Sequence, residues 1–258
     1  MTELIIFNYA YIVLQMSVIW LLYRTLKNPS VVDVSWPFGL MMTGLIYIWH
    51  QPINLRLIVL SCLLVLWALR LGGYLWYTRV RKGHVDKRYL QLSNNWKIAK
   101  SLGFFLNFQL QGIFILIMSI IFLFSAVDSP KGMSFLDYSG TVLVIIGVIG
   151  ESIADLQLYH FRNNQKGKVC NAGLWNYSRH PNYFFELLVW CGFTLFALHH
   201  RYGWVGFISP SWLYIIFTKM TIPITERGSI ESKRQAYIDY QKKTSMIFPW
   251  LKKTSNSP

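Results

Sequence analysis

Asn176-Tyr177-Ser178-Arg179-His180-Pro181-Asn182-Tyr183-Phe184-Phe185-Glu186 begins polar and basic and ends inside an apolar run. Pro181 suits the first turn of a helix, since its missing N–H would have no intrahelical partner there. Asn182 and Glu186 are four residues apart and share one face of that helix. A helix N-terminus offers free N–H groups and a positive dipole end, which suits an anion. Interfacial anchoring by Arg179 and Tyr183 is the plainer alternative.

The surroundings of this stretch are too apolar for a soluble protein. Hydrophobic residues make up 53% of the chain and charged residues 14%, against about 25% charged in a soluble domain. Seven apolar runs can be drawn, at about 4–23, 38–49, 57–77, 102–127, 139–159, 183–199 and 204–222. A spanning helix needs roughly 20 residues, so the second run is short. Pro37, just before it, predicts a broken or re-entrant start. The first run lacks a basic leader and reads as a retained helix. With seven spans, twenty-one lysines and arginines fall on one side and three on the other. The positive-inside rule makes the basic side cytoplasmic, with the N-terminus outside and the C-terminus cytoplasmic. It also accounts for the net charge of +14 without nucleic acid. The expected fold is all-α: one polytopic integral-membrane domain over 1–258, seven transmembrane helices and a C-terminal interfacial helix.

Polar residues inside the runs carry the functional information. Glu151, Asp155, Tyr159 and Arg162 lie on one stripe of the fifth span, after Gly140, Gly147 and Gly150, which permit close helix packing. Acids at membrane depth are costly and need partners. Ribose hydroxyls, an amide or an incoming arginine would serve. Arg70, Tyr74, Tyr77 and Arg81 share a face of the third span. Asp33 is a lone acid before the second span, either a helix cap or a site residue. Asn107 and Gln111, four apart on the fourth span, suit hydrogen bonding between helices. The tail, with Tyr237, Asp239 and Tyr240, reads as an amphipathic helix on the membrane surface. Glycine-rich phosphate loops, Walker motifs and nucleophile elbows are absent from the sequence, and its histidines and cysteines have no metal spacing.

Gly173-Leu174-Trp175, continuing through Arg179-His180-Pro181-Asn182-Tyr183 to Glu186, resembles the C-terminal signature of the steroid 5α-reductase family, most closely its bacterial branch. Val32-Asp33-Val34-Ser35-Trp36, Trp67-Ala68-Leu69-Arg70-Leu71-Gly72, the Asp155–Arg162 spacing and Tyr240…Pro249-Trp250 extend the likeness over most of the chain from Val32 onward. The resemblance implies an NADPH-dependent oxidoreductase of the bacterial inner membrane. It would reduce an activated C=C bond in a lipophilic, lipid-like or steroid-like substrate arriving from the bilayer. The cofactor-binding residues it implies are Arg70, Arg79, Arg81, Glu151, Asp155, Arg162, Asn182 and Glu186, with Lys168 near a basic residue of the family and no metal; Arg179 and His180, just before the helix N-terminus, join them on physical grounds. The steroid enzymes use a Gln-Glu pair on the second span and a tyrosine on the third. This chain has neither, and Tyr74 and Asp33 are the candidate catalytic substitutes. Membrane methyltransferases of isoprenylcysteine and phospholipids share an Arg-His-Pro-x-Tyr element, so an S-adenosylmethionine-dependent lipid methyltransferase is the alternative. A non-enzymatic membrane binding module is the third reading.

Overall fold

A computed structural model describes residues 2–252; Lys253 and Pro258, which the single-domain expectation takes in, lie outside the described residues. The helices are α1 (Thr2–Leu26), α2 (Val31–Trp49), α3 (Leu55–Leu75), α4 (Lys87–Asn94), α5 (Lys100–Ala126), α6 (Phe135–Asn164), α7 (Pro181–Ala197), α8 (Ile208–Ile216), α9 (Ile222–Lys233) and α10 (Gln235–Lys243). A π-helical stretch, Trp76–Arg81, prolongs α3, and another, Phe217–Thr221, joins α8 to α9. Among the described residues, six helical runs are long and apolar enough to cross a membrane: α1, α2, α3 with its extension, α5, α6, and the run Gly203–Lys233. The chain is therefore an all-α integral membrane protein whose apolar outer faces contact lipid. The sixth apolar run becomes α7, which at 17 residues sits at the short limit for a span.

The second helix differs from its expected form. It starts at Val31, not near residue 38, and Pro37 lies inside it. Asn28 Oδ1 accepts the Ser30 N–H at 3.0 Å just ahead of the first turn. Proline removes only one rung of the ladder. Val31, Val32, Leu40 and Ile48 are buried on either side of it, which keeps the helix continuous.

Two compact units are distinguished. The first takes the chain up to Thr141 and Phe193–Ser209; the second takes Val142–Gly192 and the chain from Pro210 on. In the first, α2 packs on α3 and α5, and α1 packs on α5. Trp67, fully buried, meets Trp36 and Phe193 edge-on. Arg56, also fully buried, ties together several helix ends. It pairs with Asp137 at 2.8 Å and donates to Ser125 O, Ser129 Oγ and Phe196 O. A charge so placed is tolerable because each N–H has somewhere to go.

In the second unit α6 and α7 run antiparallel at close range. A Cβ on Gly147 would sit 2.9 Å from Phe185 O and 3.0 Å from Val189 N, and one on Gly150 would enter the Phe185 ring. The glycines of the fifth apolar run thus do what their spacing predicts. The tail is more broken than one amphipathic helix: α9 and α10 meet at Arg234, which has φ 50°. Tyr237 and Tyr240 on α10 turn into the protein and are buried.

Candidate functional site

The loop before α7 is fixed from both sides within the second unit. On one side α6 holds it: Trp175 Nε1 donates to Ala154 O at 2.9 Å and Gln157 Oε1 accepts Leu174 N–H at 2.9 Å. Gly173 has φ 58° and Gln157 lies where its Cβ would be, so only glycine fits that turn. On the other side the tail holds it. Arg179 N–H donates to Ser245 O at 2.8 Å, Ser178 Oγ to Ile247 O at 2.7 Å, and Trp250 N–H to Tyr177 O at 3.0 Å. Tyr240 OH donates to Trp175 O, with Ser178 O 3.2 Å away as a weaker second acceptor.

Arg179 and His180 face inward. Arg179 Nε donates to Glu226 Oε1 at 2.7 Å, and its Nη1 donates to Thr244 O at 2.7 Å and Gln241 O at 3.0 Å. His180 Nε2 lies 3.1 Å from Glu226 Oε1. Gln241 Nε2 and Tyr237 OH reach the same carboxylate at 2.6 and 3.4 Å. Burial pushes the His180 pKa below its ordinary 6.5, and the Glu226 carboxylate only partly offsets this. His180 is thus neutral near pH 7 and donates its Nε2–H to Glu226. Its ring stacks on Tyr183, which stacks on Phe217. These two residues hold the start of α7 in place.

Beyond them, α6 and α7 carry the acids. The Gly147–Val189 and Gly150–Phe185 approaches fix the antiparallel register. Asn182 Nδ2 reaches Asp155 Oδ1 at 3.3 Å, as that register requires. The same register sets Glu151 level with Glu186. Glu151, Asp155 and Glu186 are 5%, 4% and 5% exposed, and Trp190 Nε1 donates to Glu186 Oε1 at 2.8 Å. Asn182 Oδ1 is buried without a hydrogen-bond partner among the described residues. Such a group suits a ligand that brings N–H and O–H donors. Arg162 and Lys168 are exposed at and beyond the end of α6.

The remaining sequence candidates belong to the first unit. Asp33 is bound by Arg79, by Tyr89 OH at 2.7 Å and by Arg88 at 3.6 Å. Asp86 caps α4 through Arg88 N–H and pairs with Arg79 and Arg88 at 3.3 and 2.9 Å. Burial raises the Asp86 pKa, but the hydrogen bond from Arg88 and the charges of both arginines outweigh it and hold the carboxyl at about 2. Burial likewise raises Tyr89, and the Asp33 charge raises it further. Gln111 reaches Tyr89 OH at 3.4 Å and bonds Asn107 along its own helix at 2.9 Å. Arg70 lies over the Tyr74 ring and Arg81 over the Tyr77 ring. The π-helical stretch from Trp76 alters the face that Arg70, Tyr74, Tyr77 and Arg81 would share on a regular helix. Arg88 and Gln241, both central here, were not read from the sequence. The signal for Arg88 was local, since Asp86 two residues earlier is a natural N-cap; Gln241 gave none.

Residues 19–244 match the family described as "Protein of unknown function (DUF1295)". The chain belongs to the DUF1295 family. Among curated proteins, this DUF1295 chain is 26% identical over 271 residues to an uncharacterized protein of Schizosaccharomyces pombe (strain 972 / ATCC 24843), C594.04c. That alignment takes in 91% of the chain and 76% of the fungal protein. No solved structure matches it. Among the described residues of this DUF1295 chain, no group of three or more His, Cys, Asp and Glu is arranged to hold a metal ion.

Proposed function

We propose that this DUF1295 protein is an NADPH-dependent membrane reductase related to the bacterial branch of the steroid 5α-reductases. It reduces an activated C=C bond in a lipid-like or steroid-like substrate. The observation that carries this reading is the α6–α7 set: Asp155 bonded to Asn182, the buried Asn182 Oδ1, and the buried Glu151 and Glu186 on the same two helices. Carboxylates accept hydrogen bonds from ribose hydroxyls, and an amide oxygen accepts from a carboxamide N–H. Three acids and an amide oxygen suit the two riboses and carboxamide of a nicotinamide dinucleotide better than the single ribose of S-adenosylmethionine. Asp155, Asn182, Glu186 and Glu151 would hold the cofactor, with Arg162 nearest the exposed end of α6.

NADPH, when bound, supplies a hydride. The chain's own residues supply orientation and exclude water. The Arg179–His180–Glu226 knot sets the first turn of α7, and through it Asn182. Burial of the acids keeps the ligand's hydroxyls in a dry setting, where a hydrogen bond is stronger than in water. The topology that goes with this reading has seven spans, α7 being the sixth, with the basic connections and the C-terminus in the cytoplasm.

Energy transfer from tryptophan to nicotinamide in lipid nanodiscs tests the proposal. NADPH should bind the wild type, and Asn182→Ala or Glu186→Gln should each weaken binding about tenfold, the worth of one lost hydrogen bond in a buried site. Equal affinity in both variants would sink the assignment. S-adenosylmethionine bound in place of NADPH would move the protein to the methyltransferases.

A further inference from the structure

A second pocket in the second unit uses a different chemistry from the acid-lined α6–α7 face. It measures about 420 Å³ and is walled by the loop after α6, by α10 and by the segment that follows. Lys168, Asn171, Asp239, Lys243, Thr244 and Lys252 are among its walls. Three lysines stand against one aspartate, and Asp239 already accepts from Gln235 at 2.9 Å. The pocket is therefore built for an anion.

Thr244 supplies a second, independent observation. It is 4% exposed, and its Oγ1 has no hydrogen-bond partner among the described residues. Its backbone is engaged: the N–H donates to Tyr240 O and the carbonyl accepts from Arg179. A buried hydroxyl with no partner forfeits its hydration for nothing, unless a ligand's oxygen meets it. A third observation concerns what surrounds the lysines. Directly before Lys252 in the chain, Phe248, Trp250 and Leu251 are 57%, 74% and 76% exposed. Large apolar and aromatic side chains held out beside lysines suit the boundary between headgroups and acyl chains.

We propose that this pocket is a phosphate site that takes the headgroup of an anionic phospholipid. Lys168, Lys243 and Lys252 neutralise the phosphate, and the Thr244 hydroxyl donates to one of its oxygens. Trp250 and Leu251 meet the lipid's apolar part. The acids on α6 and α7 accept hydrogen bonds, whereas the lysines of this pocket donate them, and Lys168, which the resemblance counts with the cofactor residues, is assigned here to the phosphate. Because the same tail segment pins the loop before α7, an occupied pocket would also steady that loop.

The test uses the purified full chain in nanodiscs of phosphatidylcholine alone or of an equal mixture with phosphatidylglycerol. Native mass spectrometry reads the retained lipid and thermal unfolding reads stability. Phosphatidylglycerol should be retained in preference to phosphatidylcholine and should raise the unfolding temperature. The K243Q/K252Q double variant should lose retention about thirtyfold, the worth of two lysines at an anionic surface. Thr244→Val, nearly isosteric, should lose it severalfold while remaining folded. Equal retention of both lipids by the wild type overturns the proposal, as does undiminished retention in the double variant. Displacement of the lipid by inorganic phosphate at equal concentration would reassign the pocket to free phosphate. Displacement by NADP+ would assign it to the cofactor. Either result overturns the lipid reading.

Discussion

Asp33 in the first unit and Glu226 in the second are both acids that gather basic partners, yet they are built differently. Asp33 belongs to a closed ring of two acids and two arginines, because Arg79 and Arg88 each pair with Asp86 as well. Its ion-pair partners are 23% and 31% exposed at the side chain. Glu226 is a single acceptor for four donors: Arg179, His180, Gln241 and Tyr237. Those donors come from the loop before α7 and from α10, and Glu226 itself from α9. The first arrangement is redundant and the second is not. A charge network that shares its acids survives the loss of one of them, whereas a hub fails at its centre.

The largest effect should therefore come from Glu226→Gln. Removing one partner of a buried ion pair leaves the other charge uncompensated, at a cost of about 3–5 kcal/mol. Arg179 keeps two carbonyl acceptors, which places the expected loss toward the lower end. Thermal or denaturant unfolding in detergent measures it. A loss no larger than that of a surface pair would mean that the loop before α7 is held by Tyr240 and the backbone bonds to the tail, with the hub incidental.

The two acids also mark what could be read from the sequence. The helices were legible, because apolar runs of spanning length have few other uses. Gly147 and Gly150 were legible as a close helix contact, and Asp155 with Asn182 as residues of one neighbourhood. The start of α2 was not, since Pro37 signals a break unless burial on both sides of it is known. Arg179 and His180 stand in the sequence before a helix N-terminus suited to an anion, and in the fold they meet Glu226, 46 residues beyond His180. Asp33 is a candidate catalytic group by sequence, and in the fold it meets Tyr89, 56 residues on. In each case the sequence correctly demands a partner for a polar group beside an apolar run. It does not say whether the protein or a ligand provides one, because that depends on which distant segment folds back.

Asp33→Asn is the milder perturbation and bears on function. Asparagine still accepts from Tyr89, and both arginines keep Asp86. The pairs are partly exposed, so solvent screening limits the loss to about 1 kcal/mol. Stability and turnover should be followed in the same preparation. Parallel, modest losses make Asp33 an anchor for α4. Turnover that collapses while the unfolding temperature hardly moves would return it to the chemistry.

The gentlest test removes no side chain. His180 takes its proton at about its ordinary 6.5 when unfolded and only at lower pH when folded. Below 6.5 the unfolded chain binds more protons, so stability must fall as pH drops through that range. Asp86 behaves in the same sense but later: its pKa is about 2 when folded against 3.8 unfolded, so its contribution is complete above 3.8 and fades only as pH falls from there toward 2. The His180 contribution to the Glu226 hub is thus lost first on acidification, and the Asp86 contribution to the Asp33–Asp86 ring later. Thermal unfolding across this range, in wild type and His180→Gln, separates the two. The variant should lose the early slope and keep the late one. An early slope unchanged in His180→Gln would trace the acid sensitivity to another group and leave His180 as a packing residue beside Tyr183.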